Sequence, residues 1–278
     1  MSASSVPANH GNVQHVRDEN TESHRPCGRR HRRFQRHRTC CGCIVGSRGA
    51  KVYVGDLLPL AENDSLFAEL GILQKNCDVR SETSLQKLID EAAAEQGRID
   101  ILVNNAGIGM VKQITDVTED DWNACIETNL KGPFFGCKHA IRHMQKSGGG
   151  VIVNTASNAG LLPRAHDPVY SISKMALVAL TKSLALCHGK DRIRVNCVCP
   201  GPVADTGMMN DDLAAAEDPQ ALERQMIGAS PLAGAYNRMI SPEEVAEAIL
   251  YLVSDAAVMV TGTAIAVDGG KSLGVPPN

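Results

Sequence analysis

Three side chains between Ser157 and Lys174, in the stretch SNAGLLPRAHDPVYSISK, have the types and spacing to move a proton: a serine, a tyrosine thirteen residues on, and a lysine four beyond that. Tyr170 and Lys174 form an i, i+4 pair, so a helix running from Tyr170 to about Cys187 would project both from one face at its N-terminal end. A free tyrosine has a pKa of about 10 and exchanges protons poorly at neutral pH; a neighbouring ammonium favours the phenolate and lowers that value. Ser157 would add a second hydrogen bond to a substrate oxygen. Taken alone, such a pair is more often a buried tyrosine followed by a surface lysine, so the case rests on what surrounds it.

The chain has 278 residues, 43% hydrophobic but only 3% aromatic, a balance rich in Val, Ile, Leu and Ala that suits parallel strands covered by helices. One main domain is expected around one sheet. No apolar run approaches the roughly 18 residues of a membrane span, so a soluble, cytoplasmic protein with no membrane partner is expected. The net charge of −3 is uneven: residues 1–46 hold eight arginines, no lysine and three acids, a net of +5, which leaves −8 on the remainder. Four of the ten cysteines lie in that first segment. The other six are scattered through apolar stretches, as reduced core cysteines of an intracellular protein would be, and suggest no disulfide framework.

From residue 47 onward, strand and helix alternate. Strands are predicted at Lys51–Asp56, Ile72–Cys77, Ile99–Val103, Val151–Val153, Arg194–Cys199 and Ala264–Val267. Between them, Leu85, Leu88, Ile89 and Ala92 recur at helical spacing behind a Ser81 cap and before Gly97. Thr118-x-x-Asp121 reads as a capping box for a helix that carries Asn129 and bends near Pro133 on its way to about Gln145. Ser241-Pro242-Glu243-Glu244 starts a last capped helix. Residues 202–240 read as irregular or weakly helical, a mobile lid over an apolar pocket. This order predicts a Rossmann-like, doubly wound parallel sheet in a three-layer α/β/α sandwich, with ligands bound beyond the carboxyl ends of the strands. Asp56, Asp78, Asn104 to Gly107, Ser157 and Pro200-Gly201 all fall at predicted strand ends. An acid such as Asp56, with no base following it, would accept hydrogen bonds from adenosine ribose hydroxyls and repel a 2′-phosphate, favouring NAD over NADP.

Asp56, Asp78-Val79, Asn104-Asn105-Ala106-Gly107, Asn129, Ser157, Tyr170-x-x-x-Lys174 and Pro200-Gly201, in this order, resemble the short-chain dehydrogenase/reductase family over about residues 49–270. The resemblance implies a homotetramer that moves hydride between a nicotinamide cofactor and a small-molecule alcohol or ketone. Tyr170 would be the general acid/base, Lys174 would lower its pKa and bind the nicotinamide ribose, Ser157 would hold the substrate oxygen, and Asn129 would anchor a proton-relaying water. Asp78 and Val79 would contact the adenine. Asn104, Ala106 and Gly107 would line the cofactor cleft beside Pro200 and Gly201, with Val203 against the carboxamide. The family usually has a threonine four residues after the glycine of Pro-Gly; here Thr206 is five after Gly201.

A larger departure lies upstream. The family opens with a strand and T-G-x-x-x-G-x-G, whose backbone N–H groups hold the pyrophosphate. The corresponding place here, from His31, reads HRRFQRHRTCCGC. Arginine codons of the form CGG, read one base later, become glycine codons, and histidine followed by arginine becomes threonine or isoleucine. In that frame HRRFQRHRT permits T-G-G-F-N-G-I-G. Residues 25–46 are therefore expected to be an out-of-frame translation of the first strand, phosphate loop and first helix. Made as written, residues 1–46 hold too little apolar content for a packed strand and are expected to be disordered. Cys27, His31, His37, Cys40 and Cys43 have irregular spacings with no second C-x-x-C, so no metal is assigned. The arginine run also suits a nucleic-acid contact or a transit peptide, but no nucleic-acid partner is assigned. The alternative to a working enzyme is an impaired family member, lacking the pyrophosphate loop, that serves in binding or oligomerisation.

Overall fold

The computed structural model describes residues 46, 49–57 and 65–274. Apart from Gly46, the expectations for residues 1–46 lie outside the described residues. Six strands are all parallel to their neighbours. β1 (Tyr53–Asp56) pairs with β2 (Leu73–Asn76), while β3 (Ile101–Asn104), β4 (Gly150–Thr155), β5 (Ile193–Pro200) and β6 (Ala264–Val267) form a second sheet in that order. Each lies on the stretch predicted for it, with no end shifted by more than two residues. The expected single sheet is thus divided, among the described residues, between β1 and β3.

The helices are α1 (Ser65–Glu69), α2 (Glu82–Gln96), α3 (Glu119–Ile126), α4 (Gly132–Ser147), α5 (Pro168–His188), α6 (Gly207–Ala215), α7 (Pro219–Gly228), α8 (Pro231–Tyr236) and α9 (Pro242–Val253). Their ends follow local chemistry. The Ser81 hydroxyl accepts from the Ser84 amide, and α2 stops at Gly97, whose φ of 76° is the left-handed conformation glycine adopts without strain. Thr118 with Asp121 and Ser241 with Glu244 form full capping boxes, so the first orphan amides of α3 and α9 are satisfied. The predicted bend before Gln145 falls at a π-helical turn, Glu127–Lys131, that separates α3 from α4.

Alternation along the strands builds two apolar layers. Ile152 and Val195 face Cys137, Ala140 and Met144 of α4 and Ala185 of α5; Val153 and Val198 face Val245, Ile249 and Leu252 of α9. This is the three-layer α/β/α arrangement. Residues 202–240 differ from expectation: they hold three short helices, α6 and α7 capped by Thr206 and Asp218 side chains and α8 opened by Pro231. The weak apolar periodicity there hid helices whose stability comes from their caps. The Pro168–Asp191 stretch also meets the length and composition of a membrane span. Half of it is buried in the protein, where Leu177, Val178 and Ala185 cover the sheet, so its apolarity reflects a core position. Of the six described cysteines outside the first segment, five are buried; Cys187 is exposed at the end of α5, contrary to the core placement expected.

Candidate active site

Ser157 lies two residues past the end of β4 and opens a single 3₁₀ turn, Asn158–Gly160, its hydroxyl accepting from the Ala159 amide at 3.1 Å and donating to Asn158 Oδ1 at 3.2 Å. The turn lies against α5 because Gly160 has no side chain: a Cβ there would stand 2.8 Å from the Lys174 carbonyl oxygen and 3.0 Å from Val178. Gly160 therefore sets how closely Ser157 approaches the helix that carries Tyr170 and Lys174. Nothing in its spacing marked it in the sequence, since the contact is made only after folding.

α5 starts at Pro168, two residues before Tyr170, with proline in its first turn where no amide partner is needed. Tyr170 and Lys174 are both buried, and the lysine Nζ lies 5.8 Å from the tyrosine ring centroid. The ammonium donates to the Thr155 carbonyl at the end of β4, 3.0 Å away. A backbone carbonyl leaves no trace in sequence, so this anchor could not have been read there. Burial pushes the Lys174 pKa down to about 8. It pushes the Tyr170 phenol up, against the Ser157 hydroxyl and the Arg164 charge, which pull it down. The lowered phenol expected from the lysine alone is thus corrected: removal from water outweighs the neighbouring charges. Arg164 lies over the Tyr170 ring at 5.7 Å and pairs with the buried Asp167 at 3.0 Å, a flank that sequence reasoning passed over although the i, i+3 spacing was visible.

Asn129 sits in the π-helical turn, fully buried. Its Nδ2 donates to the Ile108 carbonyl at 3.0 Å and its Oδ1 accepts from the Ile108 amide at 2.9 Å, which clamps the chain leaving β3. A Cβ at Gly107 would stand 3.2 Å from Asn129 Oδ1 and 3.4 Å from Lys174 Nζ, so glycine permits three elements to meet there. Asn129, Gly107, Lys174, Tyr170 and Ser157 therefore form one continuous site at the carboxyl ends of β3 and β4.

The other predicted residues have their own partners. Asn104 turns inward, donating to Asn154 Oδ1 at 2.8 Å and lying against Gly136. Asn105 accepts from the Thr155 hydroxyl at 2.8 Å, while its Nδ2 is buried without a partner. Asp56 ends β1, buried, beside Asn76 in register. The Asp78 carboxyl is lowered from its ordinary pKa by a two-pronged hydrogen bond from Arg80, and Val79 packs on Gly132. Pro200 closes β5; Gly201 packs on Asp268 and Val203 bridges to Ile240. Thr206 is occupied as the α6 cap, accepting from the Met209 amide and donating to the Val203 carbonyl.

Comparison with known proteins agrees with this geometry. Residues 45–272 match the family model described as enoyl-(acyl carrier protein) reductase. An uncharacterised oxidoreductase of Thermotoga maritima is 37% identical over 82% of this chain and 90% of its own, and cis-4-hydroxycyclohexanecarboxylate dehydrogenase of Sinomonas cyclohexanicum is 38% identical over 82% of this chain and 88% of its own. The ligand-free structure of Thermoplasma acidophilum aldohexose dehydrogenase superposes with a TM-score of 0.78 at 28% identity, covering 87% of this chain and 92% of that one. The fold, the matched span and these relatives together establish that the chain belongs to the short-chain dehydrogenase/reductase family.

Proposed function

We propose that the protein is an NAD-dependent oxidoreductase that interconverts a secondary alcohol and a ketone. The observation that carries this reading is the buried Ser157–Tyr170–Lys174 cluster, which meets Gly107 and Asn129 at the ends of β3 and β4. Three features fit a dinucleotide. Asp56 offers an acceptor at the end of β1, Gly107 leaves space that a Cβ would fill, and the unpartnered Asn105 Nδ2 offers a buried donor. The nicotinamide, when bound, supplies the hydride acceptor or donor.

The protein's own residues then handle the proton. Ser157 and Tyr170 both hydrogen-bond the substrate oxygen, and Tyr170 gives its phenolic proton to a ketone or, as phenolate, takes one from an alcohol. Lys174, held by Thr155 and largely charged at neutral pH, favours the phenolate as the proton leaves. The dehydrogenase names of the relatives support the reaction class.

An assay of secondary alcohols with NAD and NADP, read by reduced cofactor formed, tests the reading. A 2′-phosphate against Asp56 juxtaposes like charges at a cost of several kcal/mol, so NAD is expected to be preferred by about 100-fold, and Asp56→Ala to narrow that preference at least tenfold. An unchanged preference in the variant would overturn the role of Asp56. The impaired-protein alternative is favoured by one observation, the arginine-rich sequence where a phosphate loop belongs. Micromolar NADH binding by the chain as written rules it out.

A further inference from the structure

Arg164, in the loop that leads into α5, is held by its neighbours. Its amide donates to the Ser171 hydroxyl at 3.1 Å, that hydroxyl donates to Asp167 Oδ1 at 3.2 Å, and Asp167 Oδ2 stands 3.0 Å from Arg164 Nε. The last contact is an ion pair without hydrogen-bond alignment, because Oδ2 has no hydrogen-bond partner. The guanidinium, a planar fork of N–H donors, therefore makes no hydrogen bond among the described residues, and the side chain is 44% exposed. It lies 5.7 Å from the Tyr170 ring centroid. A fork aimed by a buried carboxylate, with its donors unspent beside the reacting phenol, matches the planar pair of oxygens of a carboxylate.

Two more charged groups share its field. Met208 of α6 packs over Gly109, where a Cβ would stand 2.9 Å from its Cγ, and Asp212, four residues on, shares that face of the helix. Lys271 follows β6 in a 3₁₀ turn, Lys271–Leu273. Both side chains are half-buried, and neither has a hydrogen-bond or ion-pair partner among the described residues. Burial pushes the Asp212 carboxyl up against the pull of Arg164, and pushes the Lys271 ammonium down with Arg164 adding to the fall. Net charge does not choose the ligand, since Asp167, Asp212 and Asp268 oppose Arg164 and Lys271. Exposure does: Asp167 and Asp268 are 1% and 3% exposed, and Asp268 is spent on the Gly270 and Ser272 amides. What a ligand can meet is two cations and one carboxylate.

We infer that Arg164 seats a carboxylate of the substrate, so that the compound turned over at Tyr170 is a hydroxy acid or keto acid with its acid group a ring or a short chain away from the reacting carbon. In oxidation such a substrate gives a hydride from its carbinol carbon to NAD and its hydroxyl proton to the Tyr170 phenolate, and leaves as the keto acid with the carboxylate unchanged. Lys271 adds to the attraction and Asp212 opposes it. The turnover half of this inference rests on the oxidoreductase reading; the anion seat does not.

Two measurements on the full chain separate the halves. The first is binding of cyclohexanecarboxylate and of cyclohexanecarboxamide, followed by NMR titration with and without NADH. The carboxylate is expected to bind tighter by about tenfold or more, the worth of a hydrogen-bonded ion pair with a guanidinium. Arg164→Gln is expected to erase the difference and Arg164→Lys to restore part of it, since an ammonium offers a point charge but no fork. Asp212→Asn is expected to widen the difference about threefold, by removing the opposing charge. The second measurement compares kcat/KM for cyclic and open-chain hydroxy acids with that for their primary amides. The acids are expected to lead by about tenfold or more, chiefly through KM, and the lead to vanish in Arg164→Gln. Equal binding of the two probes, or a carboxylate preference that survives Arg164→Gln, overturns the seat. Should that variant not fold, an unchanged preference in both Arg164→Lys and Asp212→Asn overturns it as well. Acids and amides oxidised alike overturn the substrate class while the oxidoreductase reading stands. Carboxylate binding that depends on Arg164, with no alcohol oxidised, upholds the seat and counts against the oxidoreductase reading instead.

Discussion

Tyr170→Phe is expected to lower kcat by about 10³-fold in both directions while leaving NADH binding within about twofold, because general acid/base groups contribute on the order of 10²–10⁴ in rate. The substitution keeps the ring that packs with Cys125, Ala159 and Val169 and removes only the hydroxyl that lies near Ser157. Stability should change little, since the hydroxyl faces the site. Steady-state rates with thermal melting as a control check this. A variant that retains more than a tenth of the activity would remove Tyr170 from the chemistry.

Lys174→Met is expected to reduce kcat by at least about 10²-fold and, at neutral pH, to make the protein more stable. The amine is almost fully buried, and its pKa falls from the ordinary 10.5 to about 8 in the folded state. Between those values the folded protein holds fewer protons than the unfolded chain, so wild-type stability rises with pH across that window and the cost of burying the charge is fully present below it. That cost is on the order of 3 kcal/mol at pH 7, offset by about 1 kcal/mol for the hydrogen bond to Thr155. The variant should therefore melt several degrees above wild type at pH 7, and the gap should close toward pH 10. A gap that does not change with pH would mean that Lys174 is not held charged against burial. The two effects run in opposite directions, as expected where a site holds a destabilising group for its chemistry.

How far the sequence discloses this site depends on the kind of contact. The Tyr170–Lys174 pair was legible because i, i+4 spacing on a helix fixes which face both residues share. Asp56, Asn104 and Ser157 were legible because apolar runs locate strand ends, and the capping boxes at Thr118 and Ser241 because their side-chain pattern is itself the structure. The Thr155 carbonyl and the close approach at Gly160 were not, since a backbone acceptor has no residue identity and a missing Cβ matters only when another element arrives. The inward turn of Asn104 was hidden too: an amide at a strand end serves a ligand or a neighbouring strand equally well until Asn154 and Gly136 are placed beside it. The three helices of 207–236 escaped detection because caps and proline, rather than a broad apolar face, define them.

Transfer of isotope from substrate to cofactor tests the central claim most directly. A panel of cyclic and acyclic secondary alcohols deuterated at the carbinol carbon is incubated with NAD and the protein, as the written chain and with the shifted-frame segment, and the cofactor is analysed by mass spectrometry and NMR. The account predicts NADH carrying deuterium at C4 of the nicotinamide from at least one alcohol, with the transfer lost in Tyr170→Phe. Undeuterated cofactor from every alcohol, in a chain that binds NADH, would contradict it.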